Sequence, residues 1–94
     1  MTTDGMSPEM ITVIQAIINE DRGWLRLNEI AEVLKMKNQE ALYYVDELMK
    51  KDLVAIYQSP QLFTDEFLAY HLTVEGRAYY IKEIRDKLVR ESLP

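Results

Sequence analysis

The stretch Leu27 to Val54, LNEIAEVLKMKNQEALYYVDELMKKDLV, admits few folds, because two short helical patterns lie either side of a three-residue break. In the first, Ile30, Val33 and Leu34 recur at helical spacing, and small Ala31 sits where a crossing helix can approach closely. In the second, Ala41, Val45 and Leu48 repeat along one face, with Leu42 and Met49 widening the apolar stripe. Asn28 and Asn38 are the expected N-caps, and Met36 in the Lys35-Met36-Lys37 break is the expected plug between the helices. The pattern predicts a helix-turn-helix, with helices over 28–35 and 38–51.

The flanks extend this into a small domain. Residues 1–6 read as a disordered start, after which Ser7-Pro8-Glu9 supplies a cap, a proline at the first helical position and an acid in the first turn. A helix over 7–22 is expected, its core face made by Met10, Val13, Ile14, Ile17 and Ile18, with Gly23 as the stop signal. Trp24-Leu25-Arg26 is too short for a helix and reads as an extended edge strand. Beyond Lys51 the period changes: Leu53, Val54, Ile56 and Tyr57 are strand formers, and Gln58-Ser59-Pro60-Gln61 is a turn. The return strand runs from Leu68 to Leu72, with Leu68, Tyr70 and Leu72 on one face and Ala69 and His71 on the other. A wing hairpin over 53–72 and a last helix over 73–91, capped by Thr73, complete the order α-β-α-α-β-β-α. The expected fold is mainly α with a small antiparallel β wing, a winged helix-turn-helix spanning 1–94 as a single domain.

Composition narrows the chemistry. With no cysteine there is neither a disulfide framework nor a thiolate metal site, and the cytoplasm is the default compartment. No run approaches the roughly 18–20 apolar residues of a membrane span. His71 is the sole histidine, so no histidine metal cluster and no Ser-His-Asp triad can be assembled, and it reads as an exposed strand residue. The acidic pairs Glu20-Asp21 and Asp65-Glu66 read as solvated surface. No cofactor, no metal and no enzymatic activity are expected. A net charge of −5 opposes nonspecific attraction to nucleic acid or anionic lipid.

Three blocks carry a family resemblance: NEIAEVLKM in the first helix of the pair, YYVDELMKKDLV running from the second helix into the wing, and HLTVEGRA where the wing meets the last helix. From Leu27 to Ala78 the chain resembles the MarR and PadR group of bacterial and archaeal winged-helix regulators. The resemblance implies sequence-specific binding of double-stranded DNA by a small, dimeric transcriptional regulator. Three departures stand out. The family usually has glycine where this chain has Lys35 and again where it has Asp52, at helix ends that favour a left-handed residue. From Asp52 to Gly76 there is no lysine or arginine, whereas a wing lying along DNA normally offers a cation.

With Ala41, Val45 and Leu48 inward, Tyr43 points most directly outward, flanked by Gln39, Glu40, Asp46, Glu47 and Lys50. Gln39 suits adenine and Tyr43 suits a base or a phosphate, while Glu40, Asp46 and Glu47 repel the duplex. The DNA-binding candidates are Lys35, Lys37, Asn38, Gln39, Tyr43 and Lys50, with Lys51, Arg22 and Arg26 as further phosphate contacts. The alternative is a solvated acidic face on a winged-helix protein interaction module, docking a protein partner through the Tyr43/Tyr44 surface and an apolar wing tip of Leu62, Phe63 and Phe67. The last helix carries Arg77, Lys82, Arg85, Lys87 and Arg90 against fewer acids, so the acidity lies on the preceding residues. Val74, Ile81 and Leu88 repeat every seven residues with Ile84 beside them. This seam predicts a homodimer through Ile81, Ile84 and Leu88, with Val74 and Ala78 kept inside the domain.

Overall fold

The structure, a computed structural model, describes residues 5–57 and 68–85. Helix α1 (Pro8–Ile18) begins as its sequence dictates: Ser7 is extended, its hydroxyl accepts the Met10 N–H at 3.2 Å, and Pro8 occupies the first turn. The helix ends at Ile18, before the glycine, and Gly23 sits instead in the following turn at φ +82. Strand β1 (Trp24–Arg26) leads directly into α2 (Leu27–Leu34), and α3 (Asn38–Lys50) follows the break. Strands β2 (Val54–Tyr57) and β3 (Ala69–Leu72) precede α4 (Val74–Tyr79), which continues as a π-helical turn over Tyr80–Arg85.

The sheet is antiparallel in the order β1-β3-β2, so the three-residue strand lies at an edge as expected. Leu25 pairs with Tyr70 and Tyr70 with Ile56, while Val54 pairs with Leu72; this row packs on the core formed by Val13, Ile14, Ile17, Ile30, Val45 and Leu48. The opposite face carries Trp24, His71 and Tyr57. Trp24 stacks on Tyr57 across β3, ring centroids 5.6 Å apart and nearly parallel, and His71 meets Tyr57 edge-on at 6.1 Å. His71 is therefore half-buried, not the exposed strand histidine of the sequence reading, and its Nδ1 lies 3.1 Å from the Leu72 carbonyl oxygen.

Neither asparagine caps its helix. The caps are Arg26 and Lys37, whose backbone N–H groups donate to Glu29 Oε1 at 2.9 Å and Glu40 Oε1 at 3.1 Å. A glutamate at the third helical position thus does the work the asparagines were expected to do, and it leaves the Asn38 side chain exposed. Both helices of the pair close with the same hydrogen-bond pattern. Met36 N–H donates to Ala31 O and Lys35 N–H to Glu32 O; Leu53 N–H donates to Leu48 O and Asp52 N–H to Met49 O. Each closure needs one left-handed residue, and Lys35 (φ 59) and Asp52 (φ 61) supply it where glycine is the less strained choice.

The second closure is tied to α4. Thr73 N–H donates to the Leu53 carbonyl at 3.1 Å, its hydroxyl donates to the Asp52 carbonyl, and the same oxygen accepts the Gly76 N–H at 2.9 Å. Gly76 lies so close beneath that a Cβ there would stand 2.0 Å from the Leu53 carbonyl oxygen. The last helix differs from its expected seam. Val74 is 81% exposed and Ala78 is also exposed, while Ile84 is 5% exposed and belongs to the domain's own core. In the wider i→i+5 turn, three residues no longer return a side chain to the same face, so Ile81 stays outside (43% exposed) while Ile84 turns inward beside Tyr79 and Tyr80.

Three substitutions check these readings. Gly76→Ala should cost about 2–4 kcal/mol in urea denaturation, because the clash is with backbone, despite the higher helix propensity of alanine. Gly23→Ala, strained in φ but with open space around it, should cost only about 1 kcal/mol. Conversely, Lys35→Gly should raise stability by roughly 0.5–1 kcal/mol by relieving the left-handed strain.

Candidate nucleic-acid interface

The rotation of α3 is fixed by Ala41, Val45 and Leu48, all fully buried against α1, α2 and the sheet. Fixing these three turns Asn38, Gln39, Glu40 and Tyr43 to solvent, with Tyr43 61% exposed. Tyr44 is half-buried and takes the Tyr43 ring edge-on at 5.2 Å, which restrains the exposed phenol by its neighbour. Lys35 and Lys37 are exposed at the entry to α3, and Met36 between them packs on the core as the expected plug. One patch therefore gathers Lys35, Lys37, Asn38, Gln39 and Tyr43. Lys50 lies about 10 Å further along the helix axis than Tyr43.

Several of the expected charges are already committed within the chain. Lys50 Nζ pairs with Glu47 Oε2 at 3.1 Å, and this hydrogen bond and its charge raise the lysine pKa. Arg22 bonds Glu20 at 3.0 Å and Glu29 at 2.8 Å while its guanidinium lies 4.2 Å from the centre of the Trp24 ring. The hydrogen bond that Arg22 donates to Glu29 is the foremost reason that the Arg22 pKa is raised. Arg22 is thus a poor phosphate contact, whereas Lys35 and Lys37 form no ion pair among the described residues. Glu40 is likewise occupied in part, since Oε1 accepts the Lys37 N–H. Further along the helix, Asp46 and Glu47 are half-buried.

Glu20, Glu29 and Glu32 line an open hollow floored by Leu25 and Val33, a feature the sequence reading missed because these residues come from α2, β1 and the turn after α1. Among the described residues no group of three or more His, Cys, Asp or Glu is arranged to hold a metal. No described helix is long and apolar enough to cross a membrane. The wing-tip candidates Leu62, Phe63 and Phe67, and Leu88 of the last helix, lie outside the described residues. Of the remaining seam residues, Ile81 is accessible and Ile84 is not.

No protein-family model matches the sequence, and no curated protein matches it. Solved structures do match. A MarR family protein from Bacillus stearothermophilus superposes with a TM-score of 0.76 at 20% identity, over 93% of this chain and 56% of that one. A MarR family transcriptional regulator from Silicibacter pomeroyi DSS gives 0.72 at 18% identity, over 89% and 52%. A mutant MarR from E. coli complexed with operator DNA gives 0.71 at 18% identity, over 93% and 61%. The described chain therefore has the winged helix-turn-helix fold of MarR-family regulators, and it spans between half and two thirds of the length of these solved chains.

The Glu29 carboxylate offers a check on the site's scaffold. Its partial burial acts to raise its pKa, but the Arg26 N–H and the Arg22 guanidinium outweigh this and hold it below the usual carboxylate range. A depressed folded pKa contributes stability that is present above the unfolded value and is lost as pH falls through the folded one. Glu29→Gln should therefore be less stable than the parent at pH 7, by under about 1 kcal/mol because the pair is solvent-screened, and the gap should close below about pH 4. Thermal melts across pH 3–7 measure it.

Proposed function

We propose that this chain is a DNA-binding transcriptional regulator that reads duplex DNA in the major groove with the N-terminal half of α3. The observation that carries the reading is the exposed cluster of Lys35, Lys37, Asn38, Gln39 and Tyr43 at one end of a helix whose other face is fixed by the core. The match to a MarR protein complexed with operator DNA, at low identity, supports it through the shared fold. Lys35 and Lys37 contact phosphates, Gln39 suits adenine through its paired donor and acceptor, and Tyr43 contacts a base or a phosphate. Lys50 serves only if its pair with Glu47 opens. Such a regulator works in the cytoplasm and needs no cofactor.

We further propose a homodimer through the last helix, with Val74 and Ala78 in the contact beside Ile81 and without Ile84. Val74, Ala78 and Ile81 are exposed along α4 and its continuation. Two such stripes facing each other would remove them from water. Sedimentation equilibrium should show a dimer that Ile81→Glu weakens without lowering the melting temperature; a monomeric parent chain rules this pairing out.

With few phosphate contacts per subunit, the slope of log K against log salt should be shallow, about −3 per subunit. In gel shifts at low salt, Lys37→Ala should weaken binding to every sequence alike, whereas Tyr43→Ala should change the preference among sequences. No shift of genomic fragments at tens of micromolar protein would remove the DNA reading for this chain.

A further inference from the structure

If α3 enters the major groove, Glu40 is the residue that most needs an explanation, because it brings a negative charge to a polyanion from within the contact face. Its geometry is defined. Glu40 Oε1 accepts the Lys37 N–H at 3.1 Å, which holds the side chain at the N-terminal end of α3, and the residue is exposed, with no described hydrogen bond to its other carboxylate oxygen. It lies one residue from Gln39 and one helical turn before Tyr43, on the same exposed surface.

A carboxylate offers acceptors and no donor. In the major groove guanine presents two acceptors, N7 and O6, and thymine presents O4 beside its methyl group; both repel or fail to pair with Oε2. Adenine presents its N6 amino group next to the N7 acceptor, a mixed edge suited to the amide of Gln39. Cytosine presents the N4 amino donor beside its own C5–H, so that only O6 of the paired guanine adjoins it, whereas adenine N6 lies between N7 and O4 of the paired thymine; of the four bases cytosine therefore suits a carboxylate best. We infer that Glu40 is a specificity-determining residue that selects a C·G pair through the cytosine N4 amino group. The charge then makes binding weak on the wrong sequence instead of strong on the right one, since Glu40 repels DNA wherever it lacks that donor.

The inference rests on the DNA reading above, and the experiment separates the two. Glu40→Gln retains a carbonyl oxygen to accept the Lys37 N–H, so α3 stays capped; circular dichroism and melting verify this. The parent chain and the variant are each used to enrich duplexes from a random-core library at low salt, and affinities are then measured on point-substituted winners. The expected result is one C·G pair whose replacement weakens the parent roughly ten- to a hundredfold. In the variant this preference collapses, A·T becomes acceptable there, the other positions keep their preferences, and binding to unrelated duplexes strengthens. A parent motif whose every preference persists in Glu40→Gln overturns the inference and leaves the DNA reading standing. Failure of the parent to enrich any sequence overturns the DNA reading itself, and this inference with it.

Discussion

The arrangement hangs on the short span where α3 ends and α4 begins. The Leu53 N–H closes the C-terminus of α3 on Leu48, and the Leu53 carbonyl receives the Thr73 N–H. Thr73 meanwhile donates to Asp52 and caps α4 through the Gly76 N–H. These bonds bring the end of α3, the start of β2 and the first turn of α4 to one place, and the missing side chain at Gly76 permits the approach. The direction of α3 is then set at its C-terminal end by backbone bonds and along its length by Ala41, Val45 and Leu48. A helix held in this way presents its N-terminal half as a rigid surface, which is what reading a groove requires.

An acidic chain is an unusual candidate for DNA, and the distribution of its charges bears on that more than the total does. Glu20 and Glu29 are paired with Arg22, Glu47 with Lys50, and Glu40 holds a backbone N–H at the head of its own helix. Lys35 and Lys37 remain beside the exposed face of α3. At physiological salt the Debye length is about 8 Å, so charges elsewhere on the body are largely screened from a contact made there. The local balance accordingly sets whether the contact forms, while the net charge of −5 acts against sequence-independent binding.

The order of elements was legible because each rests on local chemistry: the Ser7-Pro8 start, the helical repeat Ala41-Val45-Leu48, and the alternation of Tyr70 and Leu72 against Ala69 and His71. The left-handed positions at Lys35 and Asp52 were legible from the family resemblance and occur where expected. The caps were misread because a glutamate three residues inside the helix can reach the N-cap N–H, and the asparagine next to that cap is the more familiar signal. The last helix was misread at Ile84, which the π turn from Tyr80 brings into the core where a heptad assumes an α-helical turn throughout, and at Val74 and Ala78, which are exposed in the α-helical part. Lys50 pairs with Glu47 three residues away on its own helix, so that pair was open to a sequence reading, whereas the hold of Glu29 on Arg22 comes from a different element that only the folded chain brings within reach. Sequence could name the cations but not tell which would be left to meet a phosphate.

The most direct test of the account is the response of backbone amides to duplex DNA, followed by ¹⁵N-resolved NMR during titration at low salt. The account predicts that the amides from Lys35 to Tyr43 shift first and furthest, while those of α1 and of the exposed stripe of α4 move little. Shifts confined to α4, or none in α3 at saturating duplex, would contradict it.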